Sequence, residues 1–324
     1  MMYEIKRLPE DFIVDEKPLL ELCDGPYSYY FLEKTDQNTE QVMQDLAARF
    51  RIPRKMFSYA GSKDKRAVTS QYFSVKGNIS DANQGYKIRF IGTGKTPISL
   101  GDHGGNHFTI TVRNIAARPG MIRQTVNYFD DQRFGRNNLK IGLAILRRDF
   151  KQAAGLIDDP ASMEHLKEYP NDHIGAIRKV PFKILNMFVH SVQSYIFNEA
   201  AASIVKAHRH FDVPYSQGIF LFPVSDVKNE RLSLVSFDAV LSEAEEKILE
   251  QIGLKQRDFV LRELPGITPE GGQRDLVTYI DDLSISDLME DELNSGKKKV
   301  RVEFSLGKGS YATIVIRNIF YKEI

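Results

Sequence analysis

Residues 59–71 read YAGSKDKRAVTSQ. Asp64 stands between Lys63 and Lys65, shortly after Gly61, and Thr69 and Gln71 follow two positions apart. From these residues alone two readings are open. A solvated charged turn has this composition. So does a loop that holds a carboxylate for chemistry, because neighbouring cations favour an ionised Asp, and an ionised Asp suits a nucleophile better than a general acid. The residues that follow, SQYFSV (70–75), have the aromatic and β-branched content of a strand. Asp64 is therefore expected just ahead of one.

Working outward, NTEQVMQDLAARF (38–50) predicts a helix, with Val42, Met43, Leu46, Ala47 and Phe50 on one face and Pro53 just past its end. NHFTITVRN (106–114) predicts a strand, since Phe108, Ile110 and Val112 alternate with His107, Thr109, Thr111 and Arg113. YEIKRLPEDFIVDEKP (3–18) is a further strand candidate, interrupted at Pro9 and resumed in DFIVDE. After about residue 150 the pattern turns helical. Leu185, Phe188, Val189, Val192, Tyr195 and Ile196 form the stripe of a long helix over 182–208, and LSEAEEKILEQIG (241–253) carries a capping box of Ser242 with Glu245 and ends at Gly253. At the end of the chain Val300, Val302, Phe304 and Leu306 alternate, and GKGS (307–310) is expected to turn the chain into a second strand, YATIVIRN.

The chain has 324 residues, 42% of them hydrophobic and 27% charged, enough for about two soluble domains. No run of about 18 apolar residues suggests a membrane span, and the charged N-terminus does not read as a secretory signal, so a cytoplasmic location is expected. The lone Cys23 excludes an internal disulfide framework. Net charge is +1, but residues 1–150 hold 23 Lys+Arg against 17 Asp+Glu, so an anionic partner is expected to dock on the first half. None of the seven histidines sits in a metal-ligand spacing. GTG (92–94) and GKGS match neither phosphate-loop nor dinucleotide patterns, and there is no G-x-S-x-G elbow.

GSKDKRAVTSQ resembles the signature of the TruD family of tRNA pseudouridine synthases, through Gly61, Lys63, Asp64, Ala67, Thr69 and Gln71. Four further stretches resemble that family's motifs in order. They are KRLPEDFIVDE (6–16), GNHFTITVRN (105–114), NYFDDQRFG (127–135) and FSLGKGSYAT (304–313), the last with Gly307 where the family often has Pro. The resemblance implies an α+β fold: a pseudouridine-synthase core with a mixed, mainly antiparallel sheet, from residues 1–150 and 276–324, plus an inserted α/β TruD-type domain at about 151–275. It implies isomerisation of a tRNA uridine, at position 13 in bacterial members, with Asp64 as the nucleophile on either base or sugar. It also implies Phe108 as a stacking platform for the extruded base. Asn106, Lys6 and Arg133 become candidate substrate contacts. No metal, nucleotide or redox cofactor is implied, tRNA is the partner, and a monomer is the default. A non-catalytic RNA-binding protein or RNA chaperone on the same fold is the alternative.

Overall fold

The structure, a computed structural model, describes residues 3–83 and 85–321. The chain divides into two compact units, Met1–Arg123 with Tyr279–Ala312, and Gln124–Thr278 with Thr313–Ile324.

The first unit opens with strands β1 (Phe12–Pro18) and β2 (Tyr27–Thr35), then helix α1 (Thr39–Phe50). The predicted apolar face of α1 is the buried one, with Val42, Met43 and Leu46 inside. The helix begins at Asn38, whose side chain accepts from the Glu40 amide, and ends at Arg51 in the left-handed conformation. Strands β3 (Phe57–Tyr59), β4 (Val68–Lys76), β5 (Ala82–Asn83), β6 (Tyr86–Gly94) and β7 (His103–Ile115) follow. Val42, Met43 and Leu46 pack onto Tyr30, Leu32, Phe73, Val75 and Ile88 of the sheet.

The second unit begins with β8 (Gln124–Val126) and is mainly helical: α2 (Asp131–Phe134), α3 (Asn138–Leu146), α4 (Phe150–Leu156), α5 (Pro160–Glu168), α6 (His173–Lys179) and α7 (Phe182–Val205). The long helix expected from the periodicity is α7, and α3 packs against it, so closely that a Cβ on Gly142 would meet the Phe188 carbonyl oxygen at 2.1 Å. For that reason residues 124–150, grouped with the first unit in the sequence reading, cluster here instead. Strands β9 (His210–Tyr215) and β10 (Gly218–Pro223) form a hairpin, and β11 (Arg231–Leu234) pairs with β12 (Gly272–Asp275). Between them lies α8 (Glu243–Gln251), with the expected capping box of Ser242 and Glu245.

After β13 (Val277–Tyr279) the chain supplies β14 (Asp281–Ile285), β15 (Met289–Glu290) and β16 (Lys298–Leu306) to the first unit's sheet. The sheet runs β14-β16-β7-β1-β4-β2-β6-β5, with β15 on β16 and β3 on β4. Among its described pairings only β1 with β4 is parallel, so the sheet is mixed and mainly antiparallel, as expected. Gly105 makes the β7–β16 pairing possible: its φ is +115°, and a Cβ there would meet the Leu306 carbonyl oxygen at 2.3 Å.

One expectation fails. Residues 311–318 do not form a second strand after GKGS; Ala312–Tyr321 is a helix, α9. Ala312, Val315, Ile316, Ile319 and Phe320 recur at helical spacing and are buried. Tertiary burial outweighs the strand preference of the β-branched run.

Candidate active site

Four strands of the first unit carry a polar stripe across an otherwise apolar sheet face. Lys34 of β2 lies opposite Thr69 of β4. Val14 of β1 is also registered with Thr69, so Glu16 and Gln71, each two residues on, share that face. Asn106 of β7 lies opposite Glu16, and Phe108 opposite Val14. Lys34, Thr69, Gln71 and Glu16 are all buried. Buried polar groups need partners; the loop that carries Asp64 provides one each for Lys34, Gln71 and Glu16, while the Thr69 hydroxyl has none.

Residues 60–67 fold over the stripe. The Lys63 ammonium forms an ion pair with Glu16, with only 8% and 1% of the two side chains exposed. The other Glu16 oxygen accepts from the Tyr72 amide at 3.2 Å. Gln71 donates to the Gly61 carbonyl at 3.2 Å and accepts from the Thr39 hydroxyl at 2.9 Å. The same hydroxyl accepts from the Lys63 amide at 3.2 Å. Lys34 donates to the carbonyls of Gln37 and Asp64 at 2.8 and 3.0 Å. Lys63 is therefore an internal anchor and not a surface cation.

The Asp64 carboxylate itself meets the ammonium of Lys6 at 2.5 Å, and both side chains are about a quarter exposed, at 28% and 25%. Lys6 reaches it from a tight turn, with φ of +57°. That turn is clamped on both sides by β7. Glu4 exchanges two backbone hydrogen bonds with Arg113, and the buried Arg113 guanidinium holds Asp11 at 2.8 Å and Asp291 at 2.9 Å. Asp11 also accepts from the Leu8 amide at 2.9 Å. The hydrogen bonds it donates to Asp11, ahead of those to Asp291 and Glu292, push the Arg113 guanidinium up in proton affinity despite its burial.

Aromatic rings line the next layer. The Lys6 ammonium lies 3.9 Å from the centre of the Phe12 ring. Phe12 meets Phe108 edge-on at 6.2 Å, and Phe108 stacks on Phe304 at 5.5 Å. Phe108 is 7% exposed. Asn106 has a buried Oδ1 with no hydrogen-bond partner. Gly61 has no positive φ, and a Cβ there would meet nothing within 4 Å, so the local fold does not require a glycine at that position.

Among the sequence-predicted residues, the structure joins Lys6 directly to Asp64, links Phe108 to Lys6 through Phe12, and sets Asn106 two residues from Phe108 on one face. Arg133 belongs to the second unit, where its guanidinium lies 5.2 Å from the Phe129 ring and its Nε is buried without a partner. Lys34 and Glu16 were missed. Their signal was available: Lys34 continues the alternation Tyr30, Leu32, and Glu16 the alternation Phe12, Val14, so each puts a charge on an apolar face.

The family model for tRNA pseudouridine synthase D matches residues 1–162, 155–240 and 236–319. The chain belongs to the tRNA pseudouridine synthase D family. A relative from Methanococcus maripaludis, named "Probable tRNA pseudouridine synthase D 1", is 28% identical over 96% of this chain and 97% of its own length. One from Methanocaldococcus jannaschii, "Probable tRNA pseudouridine synthase D 2", is 29% identical over 98% of this chain and 91% of its own. A crystal structure from Methanosarcina mazei, titled "Putative tRNA pseudouridine synthase D (TruD)", superposes with a TM-score of 0.70 at 26% identity, covering 98% of this chain and 93% of that one. Among the described residues, no helix is long and apolar enough to cross a membrane.

Proposed function

We propose that this protein converts a uridine of tRNA, at position 13, into pseudouridine, with Asp64 as the nucleophile. The observation that carries the reading is the Asp64–Lys6 pair, held at 2.5 Å on a loop whose backbone is anchored from below yet whose carboxylate stays within reach of solvent. The reaction breaks the N1–C1′ bond and forms a C5–C1′ bond. The proton lost from C5 balances the one gained at N1, so no oxidant or reductant takes part. The paired ammonium aims the Asp64 carboxylate and can follow the negative charge as it passes to the base.

A stacked uridine must leave the helix before a carboxylate can reach it. Phe108 offers a ring for the extruded base, worth about 1–3 kcal/mol. The unpartnered Asn106 Oδ1 is an acceptor suited to an N–H of the base. The open space above Gly61 leaves room for the RNA backbone. On the second unit, Arg133 is a candidate contact for RNA phosphate in its own right.

The test is incubation with unmodified tRNA transcript and mapping of pseudouridine by carbodiimide chemistry. Wild type forms product and Asp64→Asn does not, while both bind tRNA. Binding without product in the wild type would instead describe a non-catalytic RNA-binding protein.

A further inference from the structure

Lys34 is the deepest charge in the site and takes no part in the reaction just described. Its residue is 1% exposed. It projects from β2 onto the apolar face covered by α1, and its ammonium ends under the catalytic loop. Two of its hydrogen bonds reach main-chain carbonyls, one in the turn before α1 (Gln37) and one in the loop (Asp64). It therefore ties the reacting residue itself, through its backbone, to a central strand of the sheet.

We propose that Lys34 is the positioning residue of Asp64: its ammonium fixes the Asp64 carbonyl and with it the direction in which the carboxylate leaves the loop. The proposal rests on the reading of Asp64 as nucleophile. A buried, protonated lysine can donate up to three hydrogen bonds and accepts none, so in this place it can only attract carbonyls and carboxylates. Lys6 grips the carboxylate from outside and Lys34 grips the same residue's carbonyl from beneath. Both ends of Asp64 are thus held by cations from different strands of chain. Asp64 can then swing little about its own backbone, and a misplacement of about 1 Å can cost on the order of 100-fold in rate.

The grip depends on pH. Burial pushes the Lys34 ammonium down to about 8; the Asp64 carboxylate opposes that fall and the Lys63 ammonium adds to it. From the flanking strands Lys34 faces Thr69, which does not titrate, and Tyr86, whose hydroxyl is bonded to Asp45 and is pushed up to about 12 by burial and that bond. As Lys34 loses its proton its hydrogen bonds lose their charge, and a positive charge near Asp64 disappears.

The experiment is single-turnover pseudouridine formation on tRNA transcript from pH 6 to 10, alongside melting and tRNA binding. Wild type is expected to lose rate above about pH 8, in step with Lys34. Lys34→Met is expected to bind tRNA as wild type does, to turn over on the order of 100-fold more slowly at pH 7, and to lack that alkaline limb. Lys34→Arg, charged throughout, recovers part of the rate and moves the limb upward. A limb due to the substrate's own N3–H would be identical in all three proteins. The proposal is overturned if Lys34→Met turns over near the wild-type rate, if Lys34→Arg keeps the wild-type limb, or if wild type itself is flat to pH 9. Should Lys34→Met not fold, the wild-type and Lys34→Arg profiles decide. Absence of product from wild type at every pH would instead reject the reading of Asp64 as nucleophile.

Discussion

Replacing Glu16 with Gln tests whether the Asp64 loop is held by charge from below. The Lys63–Glu16 pair is almost wholly enclosed, with 8% and 1% exposure. The glutamine keeps an acceptor for the Tyr72 amide but leaves the Lys63 ammonium buried without a counter-charge. Breaking such a pair from one side costs about 3–5 kcal/mol, a large share of the ~5–15 kcal/mol that keeps a domain folded. At about 2–4 °C per kcal/mol for units of this size, the melting transition of the first unit is expected to fall by roughly 10 °C. Replacing both partners with apolar residues removes the buried charge together with its partner, which is often neutral. The double variant Glu16→Leu, Lys63→Met should therefore recover most of the melting temperature. It should not recover turnover, because the loop has lost its anchor. Scanning calorimetry and single-turnover assays on the same preparations read the two effects separately. A Glu16→Gln protein that melts within a degree or two of wild type, or a double variant that isomerises at the wild-type rate, would refute the argument.

Phe108→Ala should lower stability by about 3–5 kcal/mol, because the ring is buried against Phe304 and Phe12; the platform role requires an additional loss of turnover per folded molecule, which activity normalised to folded fraction will measure. tRNA affinity should fall steeply between about 50 and 200 mM salt as displaced counterions return to the phosphates, and a flat titration would exclude electrostatic docking. Arg133→Gln should weaken tRNA binding and reduce that salt dependence by about one ion, as filter binding over the same range will show. Lys34 has an ordinary value of 10.5 and falls to about 8 in the fold. Between these values the unfolded chain holds more protons, so wild-type stability should rise with pH through that window, by up to roughly 3 kcal/mol. Chemical denaturation at pH 8 and pH 10 should show that rise in wild type and not in Lys34→Met.

What the sequence revealed followed from how each segment meets water. Helix α1 buries one face and exposes the other, and strand β7 alternates apolar with polar side chains, so their periods were plain. Helix α9 is buried at Ala312, Ile314, Val315, Ile316, Ile319 and Phe320. Those positions do recur at helical spacing, but the β-branched run Thr313–Ile316 argues locally for a strand. The Asp64 loop was legible as a motif, but its anchors were not. Lys34, Glu16 and Thr39 lie far from Asp64 in sequence, and a charge on an inward face has meaning only once the loop above it is known. Arg113 was read as part of the polar face of a strand, yet its side chain is 4% exposed, because Asp11 and Asp291 come from segments that periodicity cannot bring together.

The polar stripe also explains why the carboxylate emerges where it does. A sheet face covered by a helix is ordinarily filled with side chains such as Leu32, Phe73 and Val75, and apolar replacements for a buried ion pair are often as stable or more so. The stripe is therefore not needed to hold the sheet together. Its hydrogen bonds run instead to the loop: Gln71 to Gly61, Thr39 to Lys63, Lys34 to Asp64, with Lys63 closing on Glu16. A loop anchored at so many points gives up the freedom that an exposed turn normally keeps. That rigidity has a use only if something in the loop must point in a fixed direction. Asp64 is the residue of the loop whose backbone is held by one lysine and whose side chain is held by another, and its carboxylate remains partly exposed. Preorganisation of this kind is what a nucleophile requires and what a solvated turn does not.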